Sequence, residues 1–134
     1  MKRYFNAAFL YTIVAMVFGV FYREFTKFND FTAKTTLSVM HTHYFMLGMF
    51  FFLVLLLLEK NFAFSNTKTN KIVMVYHIGL NMTGIMFLIR GITQVLGTSL
   101  SSAANAAISG IAGVGHILLG VSIIILLLQL KKKI

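Results

Sequence analysis

Four stretches of the chain are almost purely apolar, and short polar segments separate them. The first is about 4–21, "YFNAAFLYTIVAMVFGVF", the second about 37–58, the third about 72–96 and the fourth about 104–130. A helix needs ~20 mainly apolar residues to cross ~30 Å of hydrocarbon, and each stretch is long enough. Helix can begin as early as Thr32 ahead of the second stretch, and without proline no span is obliged to kink. The first stretch follows Lys2 and Arg3 as a leader peptide would, but no small-residue cleavage pattern closes it and it runs on into "YREF". It is therefore expected to stay as a helix. The expected fold is all-α, a single four-transmembrane-helix bundle over 1–134 with short loops and no soluble domain.

Composition agrees. Hydrophobic residues make up 58% of the 134 positions, above the roughly 45–50% of soluble domains. The net charge is +9 with only three acidic residues, which raises the question of nucleic acid. The basic residues, however, cluster at the ends of apolar runs, where they act as topology determinants, so no nucleic-acid partner is expected. Lys2, Arg3, Lys60, Lys68, Lys71, Lys131, Lys132 and Lys133 all fall on one side. The opposite side carries Arg23, Lys27 and Lys34, partly offset by Glu24 and Asp30, and its last loop, "GTSLSSAANAA", has no charge. Both termini are expected to be cytoplasmic, in a multi-pass protein of a bacterial cell membrane. There is no cysteine, so any metal chemistry must use histidine, carboxylate or thioether.

The candidate chemistry lies inside the spans: His41, His43, His77, His116 and Arg90. Ionisable groups within a membrane are costly unless satisfied and mark function by default; the structural counterpart is a neutral imidazole bonded to a neighbouring helix. Counting residues fixes their depth. His43 lies 16 residues from Glu59 and His116 15 from Lys131, or roughly 24 and 22 Å at ~1.5 Å per residue. The two imidazoles are thus at one level on two helices. Arg90 is 19 residues from Lys71, roughly 28 Å and just outside that level. His77, only about 9 Å from the same edge, falls out of the set.

Two facing imidazoles at one depth in a bundle can hold haem iron from both sides, and an arginine nearer the exit can neutralise a propionate. Ala112 and Gly120 flank His116 at i−4 and i+4, leaving room for a flat macrocycle or for close helix packing. His41 and His43, two apart, face opposite sides of their helix. Other chemistry has less support. The spans hold no paired carboxylates and no Ser–His–Asp set at a workable depth. The glycines of "GLNMTG" and "GIAGVG" sit inside spans, where no phosphate loop forms. The methionines fit as packing, with Met40, Met46 and Met49 near the doublet as minor ligand candidates.

"HTHYFMLG", with His41, His43, Tyr44 and Gly48, resembles the H-x-H-Y-x-x-x-G helix of haem–copper oxidase subunit I. The resemblance covers some eight residues. It implies a high-spin haem ligand at His41, a low-spin one at His43, and Tyr44 beside the cofactor. Subunit I in that family is built from three four-helix arcs, so the resemblance also implies a homotrimer for a four-helix chain. The family's copper site needs an adjacent histidine pair and an H-P-E-V-Y stretch, both absent here, so no copper is expected. The whole chain also resembles a group of short four-helix bacterial membrane proteins catalogued as a domain of unknown function.

The expectation is a membrane b-type haem protein with His43 and His116 as axial ligands. His41 is the alternative ligand, and Arg90, Tyr44 and Gly120 line the cofactor. Its role would be electron transfer or binding of a diatomic gas (O2 or NO), with the lipid bilayer, a redox partner and further copies of itself as partners. One alternative is a cofactor-free transporter or channel subunit using His77, Asn81, Arg90 and Gln94. The other is a structural subunit of a membrane complex, with the histidines bonding helix to helix.

Overall fold

The computed structural model describes residues 1–134 and is all-helical. Helix α1 spans Lys2–Phe28, α2 Leu37–Phe62, α3 Thr67–Val95 and α4 Ser102–Lys131, each long and apolar enough to cross a membrane. The helices outrun the apolar runs because charged ends continue them: α1 passes Arg23, Glu24 and Lys27 before stopping. Helix α3 starts five residues ahead of its apolar run because Asn66 caps it. The Asn66 side chain accepts from the backbone N–H groups of Lys68 and Thr69, at 2.8 and 3.0 Å. Ser101 caps α4 in the same way, accepting from Ala104 at 3.2 Å. Residues 32–36 are non-helical, so α2 begins at Leu37 rather than Thr32.

The chain runs up and down, which puts both termini on the lysine-rich side. There Arg3 donates to Asn70, Tyr4 and Ser65, holding the start of α1 against the turn from α2 to α3. At the far side Thr35 and Thr36 donate to the carbonyls of Gly91 and Phe87, at 3.1 and 2.7 Å, and tie the start of α2 to the end of α3. Helices α3 and α4 cross most closely. A Cβ built on Gly115 would lie 2.5 Å from Thr83 Oγ1 and 3.0 Å from the Gly79 carbonyl oxygen, so the backbones meet where side chains are absent.

Although α2 contains no proline, it is not a regular helix: Tyr44–Phe50 form a π-helical segment directly after the histidine doublet. The wider turn alters the backbone bonding there. Tyr76 of α3 takes up the Leu47 carbonyl with a 2.6 Å hydrogen bond. Gly48 lies against Tyr11, whose Cβ would be 2.6 Å from any Cβ at that position. The insertion is therefore held in place from α1 and α3 together.

Only 28 of the 134 residues are buried within the chain. Phe5, Phe9, Met16, Val20, Ile117 and Ile124 are among the large apolar side chains left exposed. Such a surface belongs in lipid or against further protein, and the protein is a multi-pass membrane protein.

Candidate haem site

The ties from Thr35 and Thr36 seat the start of α2 on α3, and two turns later His43 reaches the edge of Phe87, ring centroids 4.9 Å apart. The Gly79–Gly115 crossing brings α4 in from the other flank, so that His116, the next residue, meets the same phenylalanine at 6.0 Å. The two imidazoles, 73 positions apart in sequence, have ring centroids 6.2 Å apart and planes at 89°.

Both rings are fixed in the same way. His43 Nδ1 is 2.9 Å from the Val39 carbonyl and His116 Nδ1 is 2.8 Å from the Ala112 carbonyl, each one turn back along its own helix. A carbonyl only accepts, so Nδ1 carries the proton in both, and each Nε2 keeps a free lone pair. Metal-bound histidines are held in this state by an acceptor on the other ring nitrogen.

His77 is in the opposite state. Asn81 Nδ2 donates to the Tyr11 hydroxyl at 3.0 Å, and Tyr11 donates to His77 Nδ1 at 2.7 Å. His77 therefore protonates Nε2 and spends its lone pair on tyrosine, which removes it from any ligand set. Its ring packs in a cluster with Phe52 and Tyr11, at centroid distances of 4.7 and 5.6 Å. This aromatic and polar knot at the centre of the bundle was missed from the sequence. The one signal available was the i, i+4 pairing of His77 with Asn81, which reads equally well as a polar path. Tyr11→Phe leaves His77 Nδ1 without its donor, and a loss of about 1–3 kcal/mol is expected, measurable as a lowered thermal midpoint in detergent.

Tyr44 belongs to that knot and lies away from the His43–His116 pair. It is buried, stacked on Tyr11 and Phe18, with its hydroxyl 3.4 Å from Asn81 Oδ1. The space for its hydroxyl exists because residue 84 is glycine. His41 also turns away, towards Gly19 of α1, and its Nδ1 is buried without a hydrogen-bond partner. The doublet thus serves opposite sides of α2.

Arg90 bridges α3 to α4 at the outer end, donating to Ser109 Oγ at 2.8 Å and to the Asn105 carbonyl at 3.2 Å. Only one terminal nitrogen makes these bonds, so the rest of the guanidinium faces a cavity of about 140 Å³ shared with Thr93, Gln94 and Asn105. Ser109 is seven residues from His116, roughly 10 Å along the axis. Gln94 is engaged elsewhere, accepting from the Thr36 N–H at 2.9 Å. The four polar residues of α3 are therefore divided between the central knot and the outer end and do not line one continuous path.

The donor set suits haem better than a bare metal ion. No group of three or more histidine, aspartate or glutamate side chains converges anywhere in the chain, whereas protein-held zinc takes three or four ligands. A haem asks only axial ligands of the protein. Two metal–nitrogen bonds of ~2.0–2.1 Å plus two ring radii span about 6 Å, near the separation of the pair, and Phe87, whose ring lies beside the gap at 4.9 and 6.0 Å from the two imidazoles, must turn aside for a macrocycle to enter. Gly113 and Gly120 have open space where a Cβ would stand, so α4 offers a flat flank on either side of His116.

The family described as "Protein of unknown function (DUF2871)" matches residues 1–133. The chain belongs to this family. No curated protein and no solved structure matches it, a haem–copper oxidase subunit included. The DUF2871 chain is thus a small all-helical membrane protein with four apolar helices, and none of these comparisons supports the oxidase resemblance read from the short motif at His41.

Proposed function

We propose that the protein is a b-type haem protein of the bacterial cytoplasmic membrane, with both termini cytoplasmic, acting in electron transfer or diatomic gas binding without a copper site. One observation carries this. His43 and His116, from different helices, sit 6.2 Å apart with both Nδ1 atoms donating to their own helices and both Nε2 lone pairs free. These two would be the axial ligands, and the free face of Arg90 would meet a propionate. His41 is the remaining ligand candidate. Bound there, haem supplies a one-electron couple and, if a ligand position opens, a site for O2 or NO.

The groove beside His43 measures about 240 Å³ and is open along α2. It is bordered by Thr42, His43, Met46 and Leu47 and not by His116, and enclosed small-molecule sites run to about 300–1,000 Å³, so one chain covers a porphyrin only in part. Lipid or a second copy would cover the rest, and that supports a homo-oligomer, with the trimer implied by the oxidase resemblance as the specific case.

An optical spectrum of the detergent-purified protein, oxidised and dithionite-reduced, tests the proposal. Sharp reduced α and β bands support bis-histidine ligation. Protein that stays colourless after expression with added haem overturns it. If the bands are present, Arg90→Gln is expected to lower the reduction potential, because the cation favours the reduced iron. A charge ~10–15 Å away at an effective dielectric near 20 contributes about 1 kcal/mol, roughly 40 mV for one electron; potentiometric titration measures it.

A further inference from the structure

Two adjoining cavities, of about 530 and 150 Å³, open between the first turn of α3 and the last turns of α4 on the lysine-rich side. Lys68, Gln129 and Lys132 line both. The larger adds Lys131 and a floor of Ile125 and Leu128; the smaller adds Lys133. No acidic side chain faces either cavity. Leu128 is among the exposed apolar residues, so the larger cavity leads from the lysines onto the lipid-facing flank.

Gln129 points to what belongs there. It is nine-tenths buried, at 9% exposure, and its orientation is forced. Asn66 Oδ1 is committed to capping α3, so Asn66 Nδ2 must face Gln129, at 3.2 Å. Thr69 also donates to the same Gln129 oxygen, at 2.7 Å. Gln129 therefore turns Oε1 to these two, and its Nε2 is left buried with no acceptor, a state native interiors rarely tolerate. Three lysines with no acidic side chain among them, beside a buried amide that lacks an acceptor, call for an anion. The apolar floor calls for a molecule with a hydrocarbon part.

We propose that this is a headgroup site for an anionic phospholipid. Its phosphate would lie among Lys68, Lys131 and Lys132, beside Gln129, with an acyl chain along Ile125 and Leu128. The site is far along α4 from His116 and stands whether or not haem binds.

Native mass spectrometry of the full chain, released from nanodiscs of phosphatidylcholine with 25% phosphatidylglycerol, tests it. Retained phosphatidylglycerol is expected in preference to phosphatidylcholine. Each lysine near an anionic headgroup is worth about a fivefold change in binding, so Lys68→Gln with Lys132→Gln should weaken retention roughly thirtyfold. Lys2→Gln with Lys60→Gln removes the same charge from the same side but lies outside the cavities, and should leave retention within about twofold. These four side chains are on the surface, so the variants should fold. Equal loss in both pairs means diffuse surface charge and overturns the site. So does equal retention of phosphatidylcholine. Displacement of the lipid by inorganic phosphate alone, at millimolar concentration, would assign the lysines to a free anion and overturn the lipid.

Discussion

His43→Ala and His116→Ala are each expected to cut haem retention from about one per chain to a small fraction, while His77→Ala leaves it near the native level. The loss should exceed the 10–100-fold typical of removing an outer partner of a metal ligand, since the ligand itself is gone. The contrast with His77 makes the test selective. All three histidines lie within the spans, and all three have Nδ1 in a hydrogen bond. Only in His43 and His116 is that bond to a carbonyl, which leaves Nε2 unprotonated; His77 accepts from Tyr11 and has no free lone pair. A pyridine haemochrome assay on the three purified variants measures the outcome. Full occupancy in both His43→Ala and His116→Ala would remove the ligand assignment. Loss in His77→Ala alone would move the site into the central knot.

How far such a site can be read ahead of the structure depends on which coordinate is in question. Height along a span follows from the helical rise, so residue counts from Glu59 and Lys131 put His43 and His116 at one level, and their ring centroids lie 6.2 Å apart. The azimuth of His41 against His43 was also legible, because a spacing of two turns a side chain through about 200°. Rotation of one helix about another was not. The direction in which His116 points depends on the Gly79–Gly115 crossing, a tertiary fact. Tyr44 shows the same limit: carried over beside the cofactor from the motif, it is one residue, about 100°, around the helix from His43, and that rotation takes it into the bundle centre. The π-helical segment was illegible for a related reason. Nothing local in "YFMLGMF" requires it; Tyr76 and Tyr11 hold it from other helices. Helix ends were misplaced where polar residues cap, as at Asn66, because hydropathy alone cannot distinguish a capped polar turn from a loop.

Two substitutions on one helix are expected to have opposite signs. At Gly115 a methyl group would stand 2.5 Å from Thr83 Oγ1, 3.0 Å from the Gly79 carbonyl oxygen and 3.1 Å from the Thr83 backbone nitrogen. The hydroxyl can rotate away, but the two backbone atoms cannot, so α3 and α4 must separate. Gly115→Ala should therefore cost about 1–3 kcal/mol, and Gly115→Val more, as overpacking in a rigid contact does. At Gly110 the same methyl meets nothing within 4 Å, and Gly110→Ala should stabilise the helix by about 0.5–1 kcal/mol through chain entropy. Thermal unfolding in detergent measures both. Haem adds a second readout, because His116 is the neighbour of Gly115 and moves with it: separating α4 from α3 carries the imidazole off His43, so retention should fall in Gly115→Ala and hold in Gly110→Ala. If Gly115→Ala lost stability but kept its haem, the histidine spacing would be set by the cofactor rather than by the helix crossing, and the gap between the rings would be adjustable rather than built in.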